Sequence, residues 1–370
     1  MTANLRHAAG SLLVVGVGGT ELTALERAWL RLVRPAGIIL FRRNIAQAQQ
    51  TRALMAEATD LCAAHALRCV DEEGGTVDRL RDALAPMPSA QAVARTASVP
   101  GKNRLIKEHG ELVGRAVKAF GFNTTLAPVL DLDLPVSAKV MGTRTSAATA
   151  DGVVQYARGF LEGLHAQGVV GCGKHFPGLG GGTLDSHLET PAISRSWTEL
   201  WENDLAPYRE LCSEIPMVMV NHAVYPESKD KRHPASVSRY WITSVLRQRI
   251  GYKGLIFSDD LEMGGILKFV EIEEAAIDTL RAGMNLMEIC HSPELILRAY
   301  EALIAEAERS VAFRRLLLER ADQTGKIRWQ LFAHKPPATL TERQYESLRE
   351  RILRFGETTR NCQPDRILPA

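Results

Sequence analysis

The chain has 370 residues, with 45 Lys and Arg against 43 Asp and Glu, 45% hydrophobic residues and 24% charged ones. That is the composition of a globular protein with enough chain for a substantial core. A net charge of +2 with both signs spread along the chain argues against nucleic acid or an anionic membrane as the main partner.

In chain order, the first apolar run, SLLVVGVGG, lacks a small-residue cleavage site and reads as a strand over Leu12–Val17 rather than a signal peptide. A second short run follows at Gly37–Phe41, then helical periodicity over Ile45–His65 and a third run at Leu67–Val70. The alternation continues with a helix over Gly101–Phe120, a strand over Thr124–Leu132, a helix over Asp151–Gln167 and a strand over Val169–Lys174. Beyond these come strands at Met217–Asn221, Leu255–Ser258 and Asn285–Ile289, with helices at Trp241–Ile250 and Ile272–Ala282 between them. No stretch approaches the roughly 18 apolar residues of a membrane-spanning helix. The six cysteines, at 62, 69, 172, 212, 290 and 362, form no C-x-x-C pair and sit mostly in apolar surroundings. That pattern predicts reduced thiols and a cytoplasmic protein.

Strands alternating with helices predict βα units and a parallel sheet. Eight candidate strands is the count of a (β/α)8 TIM barrel. A doubly wound sheet would instead carry a Gly-rich phosphate turn with an acidic partner about 20 residues on, and VGVGGTEL lacks that spacing. The expected fold is therefore α/β, a barrel over residues 1–331 with a proline-led, helical C-terminal tail over 332–370. Polar residues cluster after the strands: Asp71, Asp131, Lys174–His175, Asn221–His222 and Asp259–Asp260. In a barrel those ends meet at one face, where catalytic groups are found.

Three segments carry the chemistry. CVDEEGGTVDRL (69–80) sets Asp71, Glu72 and Glu73 after a strand, where an inward Asp can accept hydrogen bonds from sugar hydroxyls or the three can be solvated loop charges. GKHFPGLGGGTLDSHLETP (173–191) is a Gly-rich loop with Asp185 two residues before His187, either an Asp–His pair for proton transfer or a loop-stabilising contact. GLIFSDDLEM (254–263) ends a buried strand in two carboxylates, and since successive side chains point to opposite sides only one can face the mouth. The inward one is a candidate nucleophile and Asp260 a candidate cap for the helix after the strand. Asp71, His175, His187, His222 and Asp259 are also conceivable metal ligands, but no H-x-H or H-E-x-x-H spacing supports a metal, and no metal or cofactor is expected.

Together these segments resemble glycoside hydrolase family 3, most closely its β-N-acetylglucosaminidase branch. The matching stretches are RPAGIILFRRNI (34–45), VDEEGGTVDRL (70–80), MPSAQAVA (87–94), FNTTLAPVLDLD (122–133), VMGTRTS (140–146), KHFPGLGGGTLDSH (174–187), MVMVNHAVYP (217–226) and GLIFSDDLEM (254–263), in the family's order. The resemblance implies a TIM barrel that removes terminal β-linked N-acetylglucosamine with retention of configuration. It implies Asp259 as nucleophile, His187 as general acid/base and Asp185 as its dyad partner. It further implies Asp71, Arg144, Lys174 and His175 as sugar-hydroxyl contacts, with Arg79 joining them.

The implied substrate is an N-acetylglucosamine-containing saccharide or muropeptide of cell-wall peptidoglycan recycling, handled by a monomer or weak homo-oligomer. One departure stands out: family members usually carry a second histidine in KHFPGHG, and here that residue is Leu179. Two other readings stay open: a catalytically impaired sugar-binding protein, and a substrate-assisted hexosaminidase using Asp71–Glu72. Phosphate in place of water as the acceptor also stays open.

Overall fold

The computed structural model describes residues 2–182, 190–333 and 339–360. Its strands are β1 (Leu13–Val15), β2 (Gly37–Leu40), β3 (Leu67–Val70), a hairpin of β4 (Glu72–Gly74) and β5 (Val77–Asp78), β6 (Thr124–Thr125), β7 (Val170–Phe176), β8 (Met217–Val220), β9 (Leu255–Asp260) and β10 (Leu286–Ile289). Eight of these close into a parallel barrel in the order β1-β10-β9-β8-β7-β6-β3-β2, with the hairpin set apart. This is the (β/α)8 TIM barrel that the alternation predicts.

Every predicted strand is present, Leu67–Val70 with the predicted bounds and the others with altered lengths. The run 124–132 contributes only two residues of ladder, and beyond them Val129 bridges Lys174. The strand predicted to stop at Lys174 continues to Phe176, and its Lys174–His175 and Phe176–Pro177 peptide bonds are cis. The helix predicted over 45–65 is confined to Ala48–Asp60, and the one predicted over Trp241–Ile250 spans Tyr240–Arg249 and is wound with π-type hydrogen bonds.

Period-two alternation explains the core and also aims the site. Val14, Ile39, Leu67, Cys69, Cys172, Met217, Met219, Leu255, Phe257 and Leu286 share one buried cluster, the barrel interior. The residues between them, such as Ile38, Val218 and Ile256, pack outward against the helices. One further step along each inward row reaches Phe41, Asp71, Lys174, Asp259 and Glu288. The polar residues that gather at the mouth are thus continuations of the same rows that fill the core.

Local signals fix the elements. The helix Ala24–Val33 opens on a capping box in which Thr23 accepts from the Glu26 N–H while the Glu26 carboxylate accepts from the Thr23 and Gly18 N–H groups, each at 2.7 Å. At the end of the barrel away from the mouth, Arg328 of the helix Val311–Phe332 is 2% exposed. Its guanidinium donates to the carbonyls of Ser11, Ala63, Ala64 and His65. Burial pushes its pKa down only to about 10, so it remains charged at neutral pH. The helix Glu342–Arg360 lies on the helices Ala90–Ala97 and Arg104–Ala119, burying Leu348, Ile352 and Phe355. Tyr345 Oη and Arg349 Nε donate to the carbonyls of Ala83 and Leu84. Among the described residues no helix is long and apolar enough to cross a membrane.

Candidate active site

At the mouth a cavity of about 190 Å³ opens between the ends of the strands. Asp71, Arg79, Arg144, Lys174, His175 and Asp259, all singled out in the sequence, line it together. Asp185 and His187 lie outside the described residues.

One side of the pocket is a network of opposite charges. Lys174 is 3% exposed and its ammonium donates to Asp71 Oδ1 at 2.8 Å while lying 2.6 Å from Glu73 Oε1. Arg144 grips Glu73 with two parallel hydrogen bonds, both 2.8 Å, a planar fork that holds the guanidinium at a fixed angle. Arg79 lies 3.5 Å from Asp71 Oδ2. Burial pushes the Asp71 carboxyl upward, but the charges of Lys174 and Arg79 outweigh it and hold the group well below the usual carboxylate range. Glu73 is held down in the same way, against its burial, by Arg144 and Lys174. Lys174 and Arg144 are correspondingly kept charged despite being buried.

His175 is fixed on both nitrogens. Arg144 can only donate, and its Nη2 lies 3.2 Å from His175 Nε2. Nε2 is therefore the acceptor, and Nδ1–H donates to Asp131 Oδ2 at 2.6 Å. Asp131 also accepts from the backbone N–H groups of His175 and Leu179, the latter at 2.6 Å. Below this, Asn221 donates to the carbonyl of His175 and to Tyr225 Oη, which donates in turn to the carbonyl of Gly178. Gly178 has a φ of 136°, and a Cβ there would stand 2.8 Å from the Asp204 side chain. Leu179 is thus held by its backbone, while its side chain lines the pocket where relatives are expected to carry histidine.

The other side is different in kind. Asp259 continues the inward row of Leu255 and Phe257, and among the described residues no cation pairs with it; its Oδ1 accepts the Asp260 N–H. Asp260 does not cap the helix Gly264–Leu267, whose N-cap is Met263; its Oδ1 accepts the Glu262 N–H in the turn before that helix, and it lies 3.5 Å from His291 Nε2. Burial pushes its pKa up to about 7. His222 is engaged by Ser236 Oγ at 2.7 Å and the Asp260 carbonyl at 2.9 Å. Among the described residues no three His, Cys, Asp or Glu side chains are gathered as metal ligands would be.

Glu72 belongs to the hairpin. It accepts from the backbone N–H groups of Arg79 and Leu80 and faces Asp78, so it and Asp71 do not present a carboxylate pair to the pocket.

Several site residues are absent from the sequence reading: Glu73 as the anchor of Arg144, Phe41, Met219, Glu288, Cys290 and His291. A sequence signal existed for one of them. Glu288 interrupts an otherwise apolar strand, Asn285–Ile289, on its inward row.

Comparison with known proteins agrees with this fold. The Glycosyl hydrolase family 3 N terminal domain matches residues 4–316. A β-hexosaminidase of Pseudomonas aeruginosa is 36% identical over 294 residues, covering 79% of this chain and 86% of that protein. A family 3 β-N-acetylglucosaminidase structure from Paenibacillus superposes with a TM-score of 0.83 at 29% identity, covering 95% of this chain and 68% of that one. Native NagZ from Neisseria gonorrhoeae does so with a TM-score of 0.77 at 29% identity, covering 96% and 98%.

Proposed function

The chain belongs to glycoside hydrolase family 3, and from that premise we propose that it is a retaining β-N-acetylhexosaminidase that removes terminal, non-reducing β-linked N-acetylglucosamine. The observation that carries the reading is Asp259, an inward carboxylate on a strand end, unpaired with any cation among the described residues and sharing a pocket with the charged Asp71–Lys174–Arg144–His175 set.

A strand end is a rigid mount, which suits a nucleophile that must be aimed at an anomeric carbon. Asp259 attacks that carbon to form a glycosyl-aspartate, and His187 protonates the departing oxygen. An imidazole of ordinary pKa, about 6.5, can give that proton and then take one from water in the second step. Asp185 orients the ring and stabilises its charged form. Asp71, Lys174, His175, Arg144 and Arg79 hold the sugar hydroxyls. No cofactor enters this mechanism.

On this reading residues 1–331 form the catalytic domain and 332–370 its tail. The protein acts in the cytoplasm on N-acetylglucosamine-containing fragments of recycled peptidoglycan, as a monomer or weak homo-oligomer. The five described cysteines, Cys62, Cys69, Cys172, Cys212 and Cys290, are free thiols, which fits a reducing compartment.

The test is hydrolysis of 4-nitrophenyl N-acetyl-β-glucosaminide. Wild type releases nitrophenol and Asp259→Ala does not, while His187→Ala loses about 100-fold or more on a poor leaving group and far less on an activated aryl glycoside. A folded wild type that binds N-acetylglucosamine without turning it over overturns the enzyme reading. Failure to trap Asp259 with a slow fluorinated sugar favours attack by the acetamido group instead.

A further inference from the structure

Asp71, Asp259, Asp260 and Glu288 all line the 190 Å³ pocket, and Glu288 has no part in the mechanism above. It stands on β10, one inward step beyond Leu286, and pairs in register with Asp260 on β9. It is 2% exposed, yet it borders the pocket. Its backbone N–H donates to Ser258 Oγ at 3.0 Å, which fixes the residue's height at the mouth. Asp71 has Lys174 at 2.8 Å, but among the described residues no Lys or Arg pairs with Glu288. The group that meets its carboxyl is the Cys290 thiol, which also meets Asp260. Burial first, then the charges of Asp260, Asp71 and Asp259, push the carboxyl well above the usual carboxylate range, the direction that favours its protonated form.

A carboxyl that keeps its proton has an O–H to donate. Sugar hydroxyls both donate and accept, so any polar wall satisfies them. An amide carbonyl only accepts and needs such a donor. The β8–β10 side of the pocket also presents two apolar side chains, Met219 and Met263. A donor beside thioether surface complements a carbonyl that bears a methyl group. The carbon carrying the acetamido group in an N-acetylhexosamine adjoins the anomeric carbon, as β10 adjoins β9, which carries Asp259.

We infer that Glu288 is the specificity-determining residue for the 2-acetamido group, its O–H donating to the amide carbonyl while Met219 and Met263 receive the methyl. The inference rests on the reading of Asp259 as the nucleophile.

The experiment measures kcat/KM for 4-nitrophenyl N-acetyl-β-glucosaminide and for 4-nitrophenyl β-glucoside with wild type, Glu288→Leu and Glu288→Gln. Leucine lowers the preference for the acetamido sugar about 100-fold, the cost of leaving its carbonyl without a donor, and changes the glucoside rate only a few-fold. Glutamine, whose amide still donates, restores most of the preference. A parallel loss on both sugars, or an unchanged ratio, overturns the assignment. Calorimetric binding of N-acetylglucosamine and glucose to Asp259→Ala, with and without Glu288→Leu, decides the matter independently of turnover. Preference abolished by leucine supports the inference even if the wild type proves inactive. Equal affinity for the two sugars before the change, or the same preference after it, overturns it.

Discussion

Asp71 and Asp260 line one pocket and titrate in opposite directions, because one has an ammonium 2.8 Å away and the other is buried among like charges. Asp71 is depressed, so it contributes stability above the ordinary carboxylate pKa of about 3.9 that is lost as the pH falls below it. Asp260 is raised to about 7. Between about pH 4 and 7 the folded protein binds a proton there that the unfolded chain has released, so stability falls as the pH rises through that window. Asp260→Asn should flatten this slope by up to about 1.4 kcal/mol per pH unit while keeping the oxygen that caps the Glu262 N–H. Urea unfolding at pH 5, 6 and 7 checks this, and identical slopes in the two proteins would contradict it. At this scale the sequence was legible wherever period two could be counted. Counting inward from Phe257 selects Asp259 over its neighbour, and counting from Cys172 selects Lys174. What could not be counted were partners supplied by other strands, such as Glu73 for Arg144 across 71 residues of chain.

The hairpin β4–β5 is the element that the sequence concealed. Two strands of three and two residues carry no periodicity, and they hold together through tertiary contacts: the Glu72 N–H donates to Thr125 Oγ1 and the Glu72 carboxylate accepts from the turn at Arg79 and Leu80. Gly74 and Gly75 lie at the turn of this hairpin, and the structure explains why the first of them is glycine. Gly74 has a φ of 84°, and a Cβ there would stand 2.1 Å from the carbonyl oxygen of Pro88. Gly74→Ala should therefore cost about 1–3 kcal/mol of stability and displace Glu73, releasing Arg144 from its fork. The expected result is a lower urea midpoint together with a raised KM for the aryl glycoside. Unchanged KM would show that the hairpin is not what positions Arg144. The barrel strands, some as short as the two residues of β6, were legible because they lie in longer apolar runs set between helices that display their own repeat.

Across the whole molecule, eight short apolar runs and the polar residues after them were enough to indicate a barrel and its working end. Where the C-terminal helix docks was not legible, because an amphipathic face does not identify the surface it covers. The structure seats it on the two helices that follow the segment carrying Ala83 and Leu84, just beyond Arg79, and ties it to that segment's carbonyls. Leu348, Ile352 and Phe355 are each worth about 1.5–3 kcal/mol on burial, before the entropy of ordering the helix is counted. Truncation after Ala333 should lower the Tm by about 5–10 °C and raise KM by loosening the approach to Arg79, as calorimetry and steady-state kinetics on the shortened chain would read. No change in either would make the tail dispensable. Arg328, hidden at the opposite end, ties together the carbonyls of Ser11, Ala63, Ala64 and His65 without any side chain of the mouth taking part. Evolution and the protein engineer meet the same division of labour there. Loops above the ring can be lengthened, exchanged or given new residues in search of other substrates, and the fastening that keeps the ring shut lies beyond the reach of those changes.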